Sequence, residues 1–188
     1  MTAPHADPRT ARTRAKLGRA LLEECAERPL AEVSVAALVR RAGVGRATFY
    51  LHYADLEALG VDVCAEIVRE AVDALHAWRG TVDPETPPPA LLSFFDRLAS
   101  HAGLYRELLS VGGRGPLGHL LHEELRARSR TERALVGAPE PDLVASAVAA
   151  TFAGVLADWL HGLIQATPTQ IAQRIWRLLI NLHRTPLP

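Results

Sequence analysis

An all-α fold is what this sequence predicts, and two observations carry the prediction. Apolar residues recur at helical spacing along most of the 188 residues. Strand signals are nearly absent, with few β-branched runs, no sustained alternation and no Asn-Gly or Asp-Gly hairpin turn. The length allows one sizeable core, or a small module fused to a larger one.

Taken in order, the elements justify themselves. Leu17, Leu21 and Cys25, with Ala20 beside them, form an apolar stripe over residues 12–27, and Pro29 ends that helix. Val35, Leu38, Val39 and Ala42 repeat at i, i+3, i+4, i+7 behind Ser34, which suits an N-cap. Gly43-Val44-Gly45 breaks the pattern, residues 46–52 make a short third helix, and Asp55 caps a fourth. That fourth helix carries Leu56, Leu59, Val63, Ile67, Ala71 and Leu75 and stops at Gly80. Residues 80–89, polar and proline-rich, are a linker. Helices are then predicted over 90–101, 104–110 (after a break at Gly103) and 116 to about 136. Two more follow, one capped by Asp142 and running to about 165, the other capped by Thr169 and running to about 183. The count is about nine. No repeat or low-complexity tract interrupts them.

Composition narrows the class. Apolar residues are 48% and charged residues 22%, which suits a soluble globular chain. The longest apolar run, 143–156, is rich in Ala and short for a membrane span, and residues 1–14 lack the apolar stretch of a secretory signal. A cytoplasmic protein with no membrane partner is the expectation. Cys25 and Cys64 have no CxxC partner and read as small hydrophobes in a reducing compartment.

Net charge is zero, yet its distribution is uneven. Residues 1–53 hold nine Lys/Arg against five Asp/Glu, and residues 54–188 hold twelve against sixteen. A basic head on an acidic body is the asymmetry expected when one end meets phosphate.

The head contains the pattern that gives this asymmetry a use. A helix-turn-helix needs a sharp turn between two short helices, so that the second lies in a major groove about 12 Å wide. Gly43 supplies the turn by tolerating positive φ, and Val44 can plug the space between the helices. Gly45, Arg46, Ala47 and Thr48 stand where small or polar residues must face DNA, while Phe49 anchors the helix inward. Tyr50 and His52 offer donors to phosphate.

Residues 33–59, VSVAALVRRAGVGRATFYLHYADLEAL, resemble the DNA-binding domain of the tetracycline-repressor (TetR) family. The correspondence lies in the Ser34-capped helix, the Ala42-Gly43-Val44 turn, the Ala47-Thr48-Phe49-Tyr50 stretch, and His52 with Tyr53. It is strong over residues 10–60. Beyond them only helix number and length agree. The resemblance implies a helix-turn-helix domain over 1–55, motif at about 33–52, and a helical regulatory and dimerisation domain over 56–188. It further implies phosphate contacts from Ser34, Tyr50 and His52, and groove-facing roles for Gly45, Arg46, Ala47 and Thr48. Arg46 is the candidate for a bidentate contact to guanine. One position departs from the family pattern: Asp55-Leu56 stands where a polar pair ending in Lys is usual. Loss of that one phosphate contact would lower the salt slope by about 0.9.

Each residue also has a plainer reading. Ser34 caps a helix with or without DNA, Tyr50 could be a core aromatic, and Arg46 could be a solvated charge. Arg9, Arg12, Arg14 and Lys16 could form a disordered arm or one that reaches the minor groove.

Two helices near the C-terminus, one Ala- and Gly-rich and one with Ile171, Ile175, Leu178, Leu179 and Leu182 along a face, suit a four-helix bundle made with a second copy. Such a homodimer could present two recognition helices to a pseudo-palindrome. By the same resemblance, an effector pocket would lie in the C-terminal bundle. Trp78, Phe94, Phe95, His101, Tyr105, Phe152 and Trp159 are its candidate lining, and each is equally at home in an ordinary core. With aromatic residues at only 5%, Leu, Val and Ala should make up most of the lining, and a modest apolar or aromatic small molecule is the expected ligand. No cofactor is implied. The expected function is therefore a non-enzymatic, ligand-responsive transcriptional regulator, with repression the default.

Two rival functions stand beside this one. His119, His122 and Glu123 fall on one helical face and could hold a metal, but no second ligand cluster, GxSxG, P-loop or GxGxxG accompanies them. A diverged co-regulator acting through protein partners is the other, and the intact stretch 46–52 weighs against it.

Overall fold

This computed structural model describes residues 8–77 and 83–184, without the side chains of residues 76, 183 and 184. Among the described residues there are nine α-helices, one 3-10 turn and no strand. The all-α class holds.

The helices are α1 (Pro8–Glu27), α2 (Val35–Ala42), α3 (Arg46–His52), α4 (Leu56–Ala77), α5 (Pro89–Ser100), α6 (Ala102–Leu108), α7 (Pro116–Leu135), α8 (Pro141–Leu160) and α9 (Pro168–Arg184). They divide into two compact units, Met1–Val63 and Cys64–Pro188, with the boundary inside α4.

In the first unit, α1, α2 and α3 close on a small core of Leu17, Leu21, Leu38, Phe49 and Leu59, each fully buried. Burial of an aromatic and four leucines in so small a unit supplies most of its stability. A polar brace joins α1 to α2. Glu24, only 3% exposed, accepts Arg41 Nε at 2.7 Å, and its other oxygen lies 3.4 Å from Arg28 Nε without hydrogen-bond geometry. A carboxylate that deep is tolerable only because guanidinium groups face it.

In the second unit, α7 and α8 form a long helical hairpin, α5 and α8 pack on α9, and α6 packs on α8. Phe95 is its aromatic hub. Its ring meets Trp159 edge-on at 5.4 Å and lies 5.4 Å from Phe94 and 6.3 Å from Phe152. α8 follows no clean amphipathic stripe because it is buried on several sides, with nine of its residues in the core. It is also the one described helix long and apolar enough to cross a membrane. The helix takes in Asp142 and Asp158 on either side of the uncharged run, and half of its apolar window is buried within the unit.

Local details correct several boundaries. Gly103 does not separate two helices; it lies inside α6, and the break falls at His101. The cap of α9 is Thr167, whose Oγ1 accepts Gln170 N at 3.2 Å while Gln170 Oε1 accepts Thr167 N at 2.9 Å. That reciprocal pair outcompetes Thr169. Glu140, in a left-handed conformation, rather than Asp142, precedes α8, and α8 ends at Leu160, five residues short of the expectation. Residues 9–16 are not a loose arm, since α1 already begins at Pro8. The linker reading at 80–82 lies outside the described residues; from Asp83 to Thr86 the chain makes a tight turn.

Glycines 112, 113 and 115 all adopt positive φ. The loop they form presses on the start of α7, where a Cβ on Gly118 would strike the backbone of Gly113. Close backbone approach accounts for this glycine-rich run.

Candidate nucleic-acid interface

The α2–turn–α3 segment is set by short-range chemistry. Ser34 Oγ accepts Ala37 N at 3.1 Å and starts α2. Gly43 ends it with φ +62, where nothing crowds a side chain but an L residue would be strained. Val44 N then bonds Val39 O at 3.0 Å and swings the chain into α3.

α3 has two unlike sides. Phe49 is fully buried. Gly45, Arg46, Ala47, Tyr50 and Leu51 are exposed, and Thr48 and His52 are half-buried at the flanks. Tyr50 is 49% exposed, so the core-aromatic reading falls; its ring stands edge-on to Phe49 at 5.2 Å. The Arg46 guanidinium lies 5.8 Å from the Tyr50 ring centroid, a cation–π contact that props the charge on the open side of the helix. Ser34 is exposed at the start of α2. None of the seven residues proposed for DNA contact is buried: five are exposed, and Thr48 and His52 are half-buried.

A second polar brace holds the end of α3. Tyr53, its C-cap, donates from Oη to Asp62 Oδ2 at 2.6 Å. Arg14 of α1 donates from Nε to the same Oη at 3.1 Å and from a terminal nitrogen to Asp62 Oδ1 at 2.6 Å. Burial, with the Asp62 carboxylate, pushes the Tyr53 phenol up to about 12, and these same partners hold Arg14 more firmly protonated. Arg14 thus does structural work that no local pattern marks: residues 14, 53 and 62 meet only through folding. Among the described residues, Arg12, Lys16, Arg19 and Arg40 have no carboxylate partner and remain exposed cations of this unit.

In the second unit a small, wholly apolar cavity of about 70 Å³ opens among α4, α5, α7, α8 and α9. Phe94 and Phe152 line it, together with Val68, Val72, Leu75, Leu91, Leu125, Val148, Trp176 and Leu179. Of the other candidate residues, Phe95 and Tyr105 are fully buried core, and Tyr105 beside Cys64 has its phenol pushed strongly up by burial. His101 is half-buried at the α5–α6 junction, and its imidazole is held below its usual range by burial and by Arg97. Trp159 donates Nε1 to Ala166 O at 2.9 Å. Trp78 lies outside the described residues. The mainly aliphatic lining agrees with the low aromatic content; which residues form it was hidden in sequence, because a cavity wall and a solid core share one helical spacing.

His119 and His122 border a separate open hollow beside Gly112–Gly115. Among the described residues no three His, Cys, Asp or Glu gather as a metal site, so Glu123 does not complete one.

A short helix capped by Ser34, a left-handed glycine turn and a second helix with one buried aromatic define a helix-turn-helix protein. Residues 19–61 match the family profile described as bacterial regulatory proteins, tetR family. That match covers residues 19–61 alone, and the whole chain has the fold of solved TetR-family regulators. A TetR transcriptional regulator from Rhodococcus sp. RHA1 is 19% identical with a TM-score of 0.64, covering 96% of this chain and 100% of its own. The fatty acid degradation regulator FadR from Bacillus halodurans is 18% identical with a TM-score of 0.58, covering 93% and 96%. The dihydroxyacetone kinase operon activator DhaS is 12% identical with a TM-score of 0.57, covering 90% and 93%. No curated protein matches the chain closely enough to count as a relative.

Proposed function

We propose that this protein is a cytoplasmic, ligand-responsive transcriptional regulator, a repressor in its default action, that binds a pseudo-palindromic operator as a homodimer. The observation that carries the reading is the exposed side of α3, turned out by buried Phe49 and bearing Arg46 propped on Tyr50. Gly45, Arg46, Ala47 and Thr48 would read bases, while Ser34, Tyr50 and His52 would hold phosphates. The unpaired cations of α1 and α2 add sequence-independent attraction. Domain roles follow this split: DNA binding in 1–55, regulation and dimerisation in 56–188.

For the dimer, the open sides of α8 and α9 offer Leu143 and Leu178, both exposed, and Gly154, where nothing stands within 4 Å of an added Cβ. Small residues on α8 permit close approach of a second copy. In such a dimer two recognition helices would stand about 34–36 Å apart, one DNA turn.

For the effector, the apolar cavity suits a small apolar or aromatic molecule, since it offers no polar group to satisfy a charged one. α4 contributes Val68, Val72 and Leu75 to that cavity and Asp62 to the brace at the end of α3, so a ligand that shifts α4 would disturb both.

The deciding experiment is a gel shift on the DNA upstream of the protein's own gene. Wild-type protein should retard it in a salt-dependent way, and Arg46→Ala should lose sequence preference, at a cost of about 1–3 kcal/mol. Wild-type protein that retards no DNA at low salt overturns the reading and favours a co-regulator acting through proteins. A thermal-shift screen of apolar and aromatic compounds tests the effector arm, and no stabilised hit removes it.

A further inference from the structure

The groove-facing residues anticipated from sequence omit the most exposed large apolar side chain of α3. Leu51 is 82% exposed, against 49% for its neighbour Tyr50. At about 100° per residue, Ala47 and Leu51 each lie about 160° around the helix from Phe49. They are an i, i+4 pair at the centre of the outward side, with Arg46 and Tyr50 along one edge and Thr48 and His52 along the other. A single exposed leucine elsewhere would need no account. Here the apolar pair occupies the line that must go deepest if α3 enters a groove.

Leu51 has neither donor nor acceptor, so it can match only an apolar feature of the DNA. In the major groove that feature is the 5-methyl group of thymine. Leu51 stands about 6 Å along the axis beyond Ala47, roughly two base steps. It therefore addresses a different base pair from the one beneath the start of the helix. We propose that Leu51 is a specificity-determining residue that recognises a thymine methyl in each operator half-site, backed by Ala47. This rests on the DNA-binding reading above and adds the base that α3 selects at its far turn.

The test uses duplexes selected from a random library by the wild-type full-length protein. In the best of them each thymine is replaced in turn by deoxyuridine, which removes the methyl and keeps every hydrogen-bonding group. Binding is measured at low salt, where phosphate contacts keep weakened variants on the DNA. At one thymine per half-site the replacement should weaken wild-type binding about fourfold, the value of one buried methyl-sized group. Leu51→Ala should bind thymine and uracil duplexes alike, and Leu51→Met should keep the discrimination. Circular dichroism should match wild type for both variants, as the site is exposed. Wild-type protein indifferent to every replacement, or Leu51→Ala with undiminished discrimination, overturns this proposal and leaves DNA binding standing. Failure to select any duplex overturns the DNA-binding reading, and this proposal with it.

Discussion

The two units of this chain are held together by different chemistry. The first, of 63 residues, spends its few polar side chains on defined jobs: Ser34 caps, Gly43 turns, Glu24 braces α1 to α2, and Tyr53 with Asp62 and Arg14 fixes the end of α3. The second has polar contacts too, the Thr167–Gln170 cap and the Arg177–Glu85 pair among them, but its interior rests on apolar packing around Phe95 and on close backbone approach at Gly118 and Gly113. A small unit has little core to spare, so directional contacts must fix its geometry. A larger bundle can leave its geometry to volume, and so can leave a cavity.

The sharpest way to break that contrast is to empty each core. Phe49→Ala and Phe95→Ala remove equally buried rings, and each should cost about 3–5 kcal/mol in urea unfolding. Their functional losses should differ. Phe49→Ala should lose DNA retardation, because the exposed side of α3 is defined by where Phe49 points. Phe95→Ala should bind DNA under conditions where it is still folded. Equal loss of DNA binding in both would erase the distinction between the units.

Glycines sharpen the comparison next. Gly118→Ala should cost about 1–3 kcal/mol, because its Cβ meets the Gly113 backbone and the loop must move. Gly43→Ala should cost about 1–2 kcal/mol for a different reason, a left-handed conformation in open space. Gly43→Asn should recover part of that loss, since Asn tolerates the conformation, whereas Gly118→Asn should be worse than Ala. Caps come after these. Ser34→Ala and Thr167→Ala should each cost about 1 kcal/mol in thermal or urea melts, one per unit.

The same contrast explains what could be read from sequence. Ser34, Gly43, Phe49 and Asp55 were legible because a cap, a left-handed turn and an anchor each demand a particular residue type at a particular spacing. Helix number was legible for the same reason. The braces were not: Arg14 lies 39 residues from Tyr53, and nothing local marks either as a partner. Gly103 misled because glycine is tolerated inside α6, while the break fell at His101. The cavity could be half anticipated through Phe94 and Phe152, yet its aliphatic walls carry no signature that separates them from solid core. Nothing local marks Leu51, because an apolar residue in a short helix looks like another core position until its exposure is known.

The smallest expected effect is an alkaline one, and it sets one tyrosine from each unit side by side. Both phenols are raised above their ordinary value, Tyr53 to about 12 by burial and by Asp62, and Tyr105 further by burial beside Cys64. A raised phenol means the folded state holds its proton more tightly than the unfolded chain. Stability from each is therefore intact below about pH 10, the unfolded value, and is lost as pH rises towards the folded one. For Tyr53 the window is about pH 10 to 12. Tyr53→Phe should remove its share of that decline, so the stability difference from wild type should shrink as pH climbs through the window. Tyr105→Phe should leave the Tyr53 share in place. Tyrosinate absorbance gives the independent check, because Asp62→Asn should let Tyr53 ionise at lower pH and leave Tyr105 unchanged. If Asp62→Asn does not move the Tyr53 titration, burial alone sets that phenol, and the first unit is braced less by its polar contacts than its geometry suggests.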